Sequence, residues 1–445
     1  MDAHIVFAST YPPVVCGIGN YLSYLVGAMQ RGASSLVAFD PERYGGRVVS
    51  GQAVDPHVPV RFALARPTTG PAEIVEAVAD LTPLPLDRTV LWFQHAPDIW
   101  PQFPALLRAL RHFPVRKVAT LHTVHFQSPQ TPSGLRSTER QMLGDLLPWL
   151  DRVTVFTPSA RQAVRQAFPE YGEKVTLLRH GVHGPQPIAR DEARRRLAQY
   201  LGRVSDAVHP RGGASSLLRA LDDPDAVVLG SLGFLQCDKG FEAVYDLRDA
   251  LQARMPERRV VGLVMGFVRD RADRRNRRLL ARLAARADGD GRFLVTTLTP
   301  DAVFQAGLRA LDLNLYWPES PTQSGRVAHA LGVGASLIGR DIEGLGEALR
   351  DVGAPACTDF EELVPCALEL LRSPARVQSL RVRGLEYAEQ HAWKRQAQCH
   401  LEIARALLDG RARATLPALA GSAGARSRVG PSPGRRGQLS PDPLP

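Results

Sequence analysis

The chain has 445 residues, a formal net charge of +10, 44% hydrophobic and 22% charged residues. That length predicts two or three domains with large cores, and the composition excludes a collagen-like or wholly disordered chain. No stretch is long and apolar enough to span a bilayer, and five scattered cysteines without a CxxC pair argue against a disulfide framework or a zinc site.

Met1-Asp2-Ala3-His4 carries no basic segment, and the apolar run after it is short. It reads as a first strand rather than a signal peptide, so a cytoplasmic protein is expected. Basic chains attract nucleic acid, anionic membrane surfaces and phosphorylated ligands. Here nearly all the positive charge is arginine, with lysine only at Lys117, Lys174, Lys239 and Lys394. That bias speaks more of the genome than of a partner.

His4 to Ala8 has strand character, Ser9 to Gly17 is a loop with Pro12 and Pro13, and Ile18 to Met29 has apolar residues at helical spacing. The alternation continues with strands at Leu36–Phe39, Thr89–Phe93, Lys117–Leu121, Arg152–Phe156 and Val175–Leu178. Helices are predicted between them at Ala72–Leu81, Phe103–Phe113, Glu139–Leu150 and Ser159–Phe168. The stretch 186–225 breaks the rhythm and reads as a linker and lead-in, helical in two pieces. Ala226–Gly230 restarts a second α/β series running to about 390. Trp393 to Leu408 reads as a terminal helix, and the Ala/Gly/Ser/Pro/Arg-rich segment 411–445 as a disordered tail. No repeat is evident. The pattern predicts two doubly wound α/β domains, at 1–185 and 226–390, with a crevice at the carboxyl ends of their strands.

The residues with chemistry fall in loops after strands. Gly17 and Gly19, at the first helix start, can let an anion approach backbone N–H groups, although such loops are often only tight turns. Gly233 and Lys239 belong to one loop, where a lysine just before a helix can meet a diphosphate. The plainer reading is a solvated lysine at a position the helix dipole disfavours. Glu319 follows the strand predicted at Leu311–Leu315 by a few residues, and Thr322, Gln323, Ser324 and Gly325 open the next helix with N–H groups suited to phosphate oxygens. A carboxylate beside such a site suits sugar hydroxyls or a developing cation; otherwise it simply complements the dipole. His122 ends a strand, as do His95 and His180, and each is equally readable as a structural residue. The basic segment Arg269 to Arg292 reads as a solvated helix face, with anionic lipid or a phosphorylated acceptor as the alternative. It lacks the interleaved aromatics of a single-strand nucleic-acid binder.

Together these motifs resemble the retaining glycosyltransferases of family 4, which have the GT-B fold of two Rossmann-like domains, over about residues 3–409. Cys16-Gly17-Ile18-Gly19, Thr120-Leu121-His122, Thr157-Pro158-Ser159, Arg179-His180-Gly181, Lys239-Gly240 and Trp393 carry the likeness. The resemblance implies transfer of a sugar from a nucleoside-diphosphate sugar with retention, to an unidentified sugar, lipid-linked or small-molecule acceptor. It implies Glu319, His122 and Lys239 as catalytic residues, and Gly17, Gly19, Gly233, Lys239, Thr322, Gln323, Ser324 and Gly325 at the donor. It also implies a last helix that crosses back onto the first domain. No cofactor, no divalent metal and no nucleic acid is expected; contact with the inner face of a membrane is left open. Glu319 matches the first of the family's paired glutamates, but the second position falls on Val327, as in a subgroup lacking it. The arginine that usually accompanies the lysine is missing, with Phe234 and Gln236 at the corresponding positions. Two other readings stand beside this one. An inactive relative that binds a nucleotide sugar fits Val327. A nicotinamide-dependent oxidoreductase shares the fold class but needs a GxGxxG fingerprint that the first strand lacks.

Overall fold

The first half places each strand between helices. Its elements are β1 (His4–Ser9), α1 (Gly17–Gly27), β2 (Ser34–Phe39), α2 (Pro41–Tyr44), β3 (Val60–Leu64), α3 (Pro71–Leu81) and β4 (Thr89–His95). They continue with α4 (Phe103–Ala109), β5 (Arg116–Leu121), α5 (Ser137–Leu146), β6 (Arg152–Val155), α6 (Pro158–Ala167) and β7 (Val175–Leu177). The computed structural model describes residues 2–45, 57–66, 69–126, 134–268, 272–319 and 325–410. The expected tail, 411–445, lies outside them. The seven strands form one parallel sheet in the order β3-β2-β1-β4-β5-β6-β7. Every residue of β1, β2 and β4 is buried, which is why these strands read as continuous apolar runs rather than alternating ones.

The second half begins with α7 (Arg190–Arg203), β8 (Val208–His209), α8 (Ala214–Asp222), β9 (Val227–Phe234), α9 (Ala243–Arg254) and β10 (Val260–Phe267). There follow α10 (Arg274–Arg286), β11 (Arg292–Thr296), α11 (Asp301–Ala310), β12 (Leu313–Tyr316), α12 (Gly325–Gly332), β13 (Leu337–Arg340), α13 (Glu343–Asp351) and β14 (Ala356–Cys357). The strand order is β14-β13-β12-β9-β10-β11-β8. All pairs are parallel except the edge strand β8 on β11. Leu197, Leu201, Val208, Leu217 and Leu221, from the stretch before β9, sit in this second core. Helices α14 (Phe360–Arg372), α15 (Pro374–Gln390) and α16 (Trp393–Leu408) complete the chain.

Helix α16 returns to the first half and packs on α1, β1 and β4. A parallel bridge joins Val182 to Ala392 at its start. Trp393 lies over Gly181, where a Cβ would meet the indole ring at 2.2 Å. His400 packs against Trp92 in a tilted arrangement with ring centroids 4.5 Å apart.

Strand order fixes where a ligand can reach both sheets. Order reverses beside β1 and β4 in the first sheet and beside β9 and β12 in the second. Loops leaving adjacent strands in opposite directions open a crevice at such points. The loop after β1 leads into α1, whose first turn holds Gly17 and Gly19; the loops after β9 and β12 hold Lys239 and Glu319. The basic stretch before β11 is a salt-bridged face: Arg282 and Arg286 pair with Glu242 and Asp246 at 2.8 Å and 2.7 Å. Residues 269–271 of that stretch lie outside the described residues. No helix of the described residues is long and apolar enough to cross a membrane.

Candidate functional site

The β9 loop does not run straight into a helix. It forms one 3-10 turn over Cys237–Lys239, then Gly240 takes left-handed backbone at φ 66°, and α9 starts only at Ala243. Lys239 therefore stands on the turn, clear of the helix dipole expected to oppose it. The Cys237 N–H donates to Asn276 Oδ1 at 3.3 Å, tying the turn to α10. The Lys239 ammonium lies 3.2 Å from the Asp238 carboxylate and is 31% exposed.

The β12 loop lies directly against this turn. The Glu319 N–H donates to the Asp238 carbonyl at 3.0 Å. A Cβ on Gly240 would fall 1.7 Å from the Trp317 carbonyl oxygen, so only glycine permits this approach. Arg340, ending β13, donates to the Pro318 carbonyl at 3.4 Å and covers the Trp317 ring. Lys239 and Glu319, eighty residues apart in the chain, are thus on touching loops.

Thr322, Gln323 and Ser324 lie outside the described residues. Gly325, the first residue of α12, faces the first half: a Cβ there would be 3.6 Å from His180 Nε2. Val327, where the family pattern expects a second glutamate, is 2% exposed and packs in the second core. Its neighbour Arg326 turns back to β9. Arg326 Nη1 donates to Ser231 Oγ at 2.9 Å, and its stem fills the space beside Gly233, where a Cβ would be 2.5 Å from Cδ. Gly233 therefore makes room for this arginine.

In the first half, Gly17 is exposed, with open space where a Cβ would be, whereas Gly19 is buried against Thr10. His122 Nε2 donates to Gln94 Oε1, 2.8 Å away, and the His122 ring packs edge-on to Tyr21 and Phe156. Tyr21 also meets His180 and Trp393, so one phenol ring joins the histidines to the crossing helix. Burial holds His122 well below the ordinary imidazole range, assisted by His180 and His95. Burial likewise lowers His180 to about 4 and His95 to about 3. These rings are neutral near pH 7. His180 Nδ1 lies 2.7 Å from the Gly181 carbonyl, which can only accept. The proton is therefore on Nδ1, and Nε2, the atom facing Gly325, is bare.

Around these rings the strand ends are polar. Ser9 Oγ, Thr10 Oγ1, Tyr21 Oη, Gln94 Nε2, His95 Nδ1 and Thr123 Oγ1 are buried without a hydrogen-bond partner among the described residues. Buried polar atoms are normally paired. Apart from Tyr21 on α1, these atoms lie at or just after the carboxyl ends of β1, β4 and β5, beside the first switch point, and leave capacity for hydrogen bonds to a hydroxyl-rich ligand.

The two halves also hold each other. Glu343, fully buried and at φ 45°, lies 3.0 Å from His125 Nδ1 and 3.5 Å from Arg136. The Ser159 N–H, at the start of α6, donates to Glu347 at 3.3 Å. Tyr24 donates to Asp301 at 2.6 Å.

Two further features lie apart from these loops. A cavity of about 440 Å³ opens between α10 and β11, lined by His209, Phe267, Arg277, Leu280 and Leu294. Cys357, Glu362 and Cys366 have ligand-type atoms within 4.8 Å of one another, at the β14 edge of the second sheet. Glu362 there already accepts from the Thr358 N–H and hydroxyl.

No family model matches the sequence, and no curated protein matches it. Solved structures do match. HepE of Anabaena, solved in complex with UDP, superposes with a TM-score of 0.61 at 14% identity, over 90% of this chain and 99% of that one. An α,α-trehalose-phosphate synthase from Burkholderia xenovorans, solved with glucose-6-phosphate, gives 0.62 at 14% identity over 91% and 100%. The corresponding synthase of Burkholderia multivorans gives 0.63 at 14% identity over 92% and 99%. The chain has the GT-B fold. Identities this low establish the architecture and no more, so the GT-B chain's chemistry must be argued from its own residues.

Sequence reasoning missed Arg326, Tyr21 and Gln94. Arg326 carried one signal: a cation in an otherwise apolar helix, immediately before the Val327 departure. Tyr21 and Gln94 carried none, because each looks like an ordinary core or strand-end residue until the sheets are assembled.

Proposed function

We propose that the protein is a glycosyltransferase that takes a sugar from a nucleoside-diphosphate donor, with retention at the anomeric carbon. The observation that carries this reading is the contact between the Lys239 and Glu319 loops at the second switch point. That contact supports a donor site with a cation and a carboxylate on touching loops, and Gly325, at the start of α12, lies beside His180 of the first half. HepE was solved with UDP and, separately, with UDP and glucose, which supports a nucleotide-sugar donor for a chain of this fold.

Breaking the bond from sugar to diphosphate leaves positive charge on the anomeric carbon and negative charge on the leaving oxygen. A fixed cation at the diphosphate stabilises that separation. Lys239 fills that role. Glu319 holds sugar hydroxyls and favours the oxocarbenium-like state. His122, neutral and held by Gln94, orients the sugar or its acceptor rather than supplying charge. The unpartnered hydroxyls and amide around β1, β4 and β5 serve the acceptor sugar.

Lys239→Ala tests the reading. Turnover of the donor that the wild type uses should fall on the order of a hundredfold, with the fold intact by circular dichroism. Undiminished turnover would remove Lys239 from the mechanism. The burial of Val327 favours a second reading, an inactive donor-binding relative. Nucleotide-sugar binding without hydrolysis or transfer, across several donors and acceptors, would decide for it.

A further inference from the structure

Arg326 is held in place by four groups. Nη1 donates to the Ser231 hydroxyl at 2.9 Å and reaches the Leu232 carbonyl at 3.5 Å. The guanidinium lies over the Phe241 ring at 5.0 Å and the Tyr316 ring at 5.1 Å. Gly233, at φ 138°, leaves room for the stem. Both hydrogen bonds end on neutral oxygens, and no carboxylate of the described residues pairs with the cation; the Asp238 charge acts only from farther away. Burial lowers its pKa, yet a guanidinium remains charged at any working pH.

A half-buried cation without a carboxylate is costly, and five donors cannot all be met by two oxygens. A structural arginine would be expected to find an acid. This one is instead clamped between aromatic rings at the carboxyl end of β9, on the same loop system as Lys239. Phe241 follows Gly240 directly, and Tyr316 precedes the Trp317 carbonyl that Gly240 touches. The planar fork suits bidentate pairing with phosphate oxygens.

We propose that Arg326 is a second diphosphate-binding cation, acting beside Lys239 and delivered from α12 rather than from the lysine loop. The inference rests on the donor reading above but names a residue that reading does not use.

The test is calorimetric titration of UDP, GDP and ADP into the full chain, followed by the parent nucleoside of whichever binds. Arg326→Met keeps the stem and the ring contacts but removes the charge. Its diphosphate affinity should fall roughly ten- to a hundredfold, the effect of a lost charge-assisted hydrogen bond, while nucleoside affinity stays within twofold of wild type. Arg326→Lys restores a point charge without the fork and should recover part of the loss. Equal losses for diphosphate and nucleoside would make Arg326 a purely structural residue and overturn the proposal, as would undiminished diphosphate binding by Arg326→Met. If Arg326→Met does not fold, Arg326→Lys decides: wild-type diphosphate affinity in it rules out a bidentate contact. A wild type that binds none of the three diphosphates overturns the donor reading itself.

Discussion

Gly240→Ala probes the contact on which the donor site is built. Gly240 has φ 66°, and a Cβ there would lie 1.7 Å from the Trp317 carbonyl oxygen and 2.5 Å from its carbon. An L-residue in left-handed backbone costs about 1–2 kcal/mol. The clash adds to that, because the opposing atom is backbone and cannot rotate away. Raising 1.7 Å to the 3.0 Å below which real Cβ contacts are essentially never found requires the loops to part by 1.3 Å. Overpacking of this kind costs roughly 1–3 kcal/mol, so the variant should lose about 2–5 kcal/mol of stability in all. The same parting stretches the Glu319 N–H bond to Asp238 from its present 3.0 Å. It also separates the proposed cation from the proposed carboxylate by an amount that can cost about a hundredfold in rate. Gly212→Ala is the control. Gly212 has φ 84° but open space around a Cβ, so it reports the backbone cost alone, about 1–2 kcal/mol. Urea denaturation of both variants isolates the steric part, and donor turnover by folded Gly240→Ala reports the geometry. Equal stability losses in the two variants, with undiminished turnover in Gly240→Ala, would refute the argument that the loops meet here.

Two further outcomes follow from the buried groups. Burial lowers His95 to about 3 and His180, His391 and His400 to about 4. The unfolded chain therefore takes up protons that the folded chain refuses, and stability is full above the unfolded value of about pH 6.5 and falls as pH drops toward the folded values. At pH 5.5 each imidazole removes roughly 1 kcal/mol, so the urea midpoint should fall by several kcal/mol equivalent between pH 7 and 5.5; a flat profile would show these rings to be solvated. Glu343→Ala should cost about 1–3 kcal/mol, because it strips His125 and Arg136 of a fully buried carboxylate that joins the halves. Its φ of 45° disfavours Ala as it does Glu, so the backbone contribution cancels, and an unchanged urea midpoint would exclude Glu343 as a tie.

The alternation of strands and helices was readable because parallel strands buried on both faces are apolar throughout, as in His4–Ser9 and Thr89–His95. Strand β3 escaped notice for the opposite reason: it is an edge strand, half-exposed over Val60–Ala63. Strands β8 and β14 have two residues each and are made strands only by their neighbours. That Lys239, Glu319 and His122 each follow a strand was legible, because the apolar runs of β9, β12 and β5 end where their polar loops begin. Arg326 was not. Its helix register pointed to the second core, as Val327 confirms with 2% exposure, and only the left-handed Gly233 lets the side chain reach β9.

The charges around the crevice are divided unevenly, and the division has a chemical consequence. Burial keeps His95, His122 and His180 neutral, so in the proposed reaction these strand ends act as uncharged donors and acceptors. Lys239 and Arg326 both belong to the second. On the proposed reading, the two cations assigned to a departing diphosphate both lie on the second half, while the sugar meets hydroxyl, amide and imidazole groups on the other. If the halves part after transfer, the nucleotide remains with the cations and the glycosylated product is held only by neutral hydrogen bonds. Such bonds are individually weaker than charge-assisted ones, so the proposed placement of the two cations predicts an order of release, product first and nucleotide last, which product-inhibition kinetics would check.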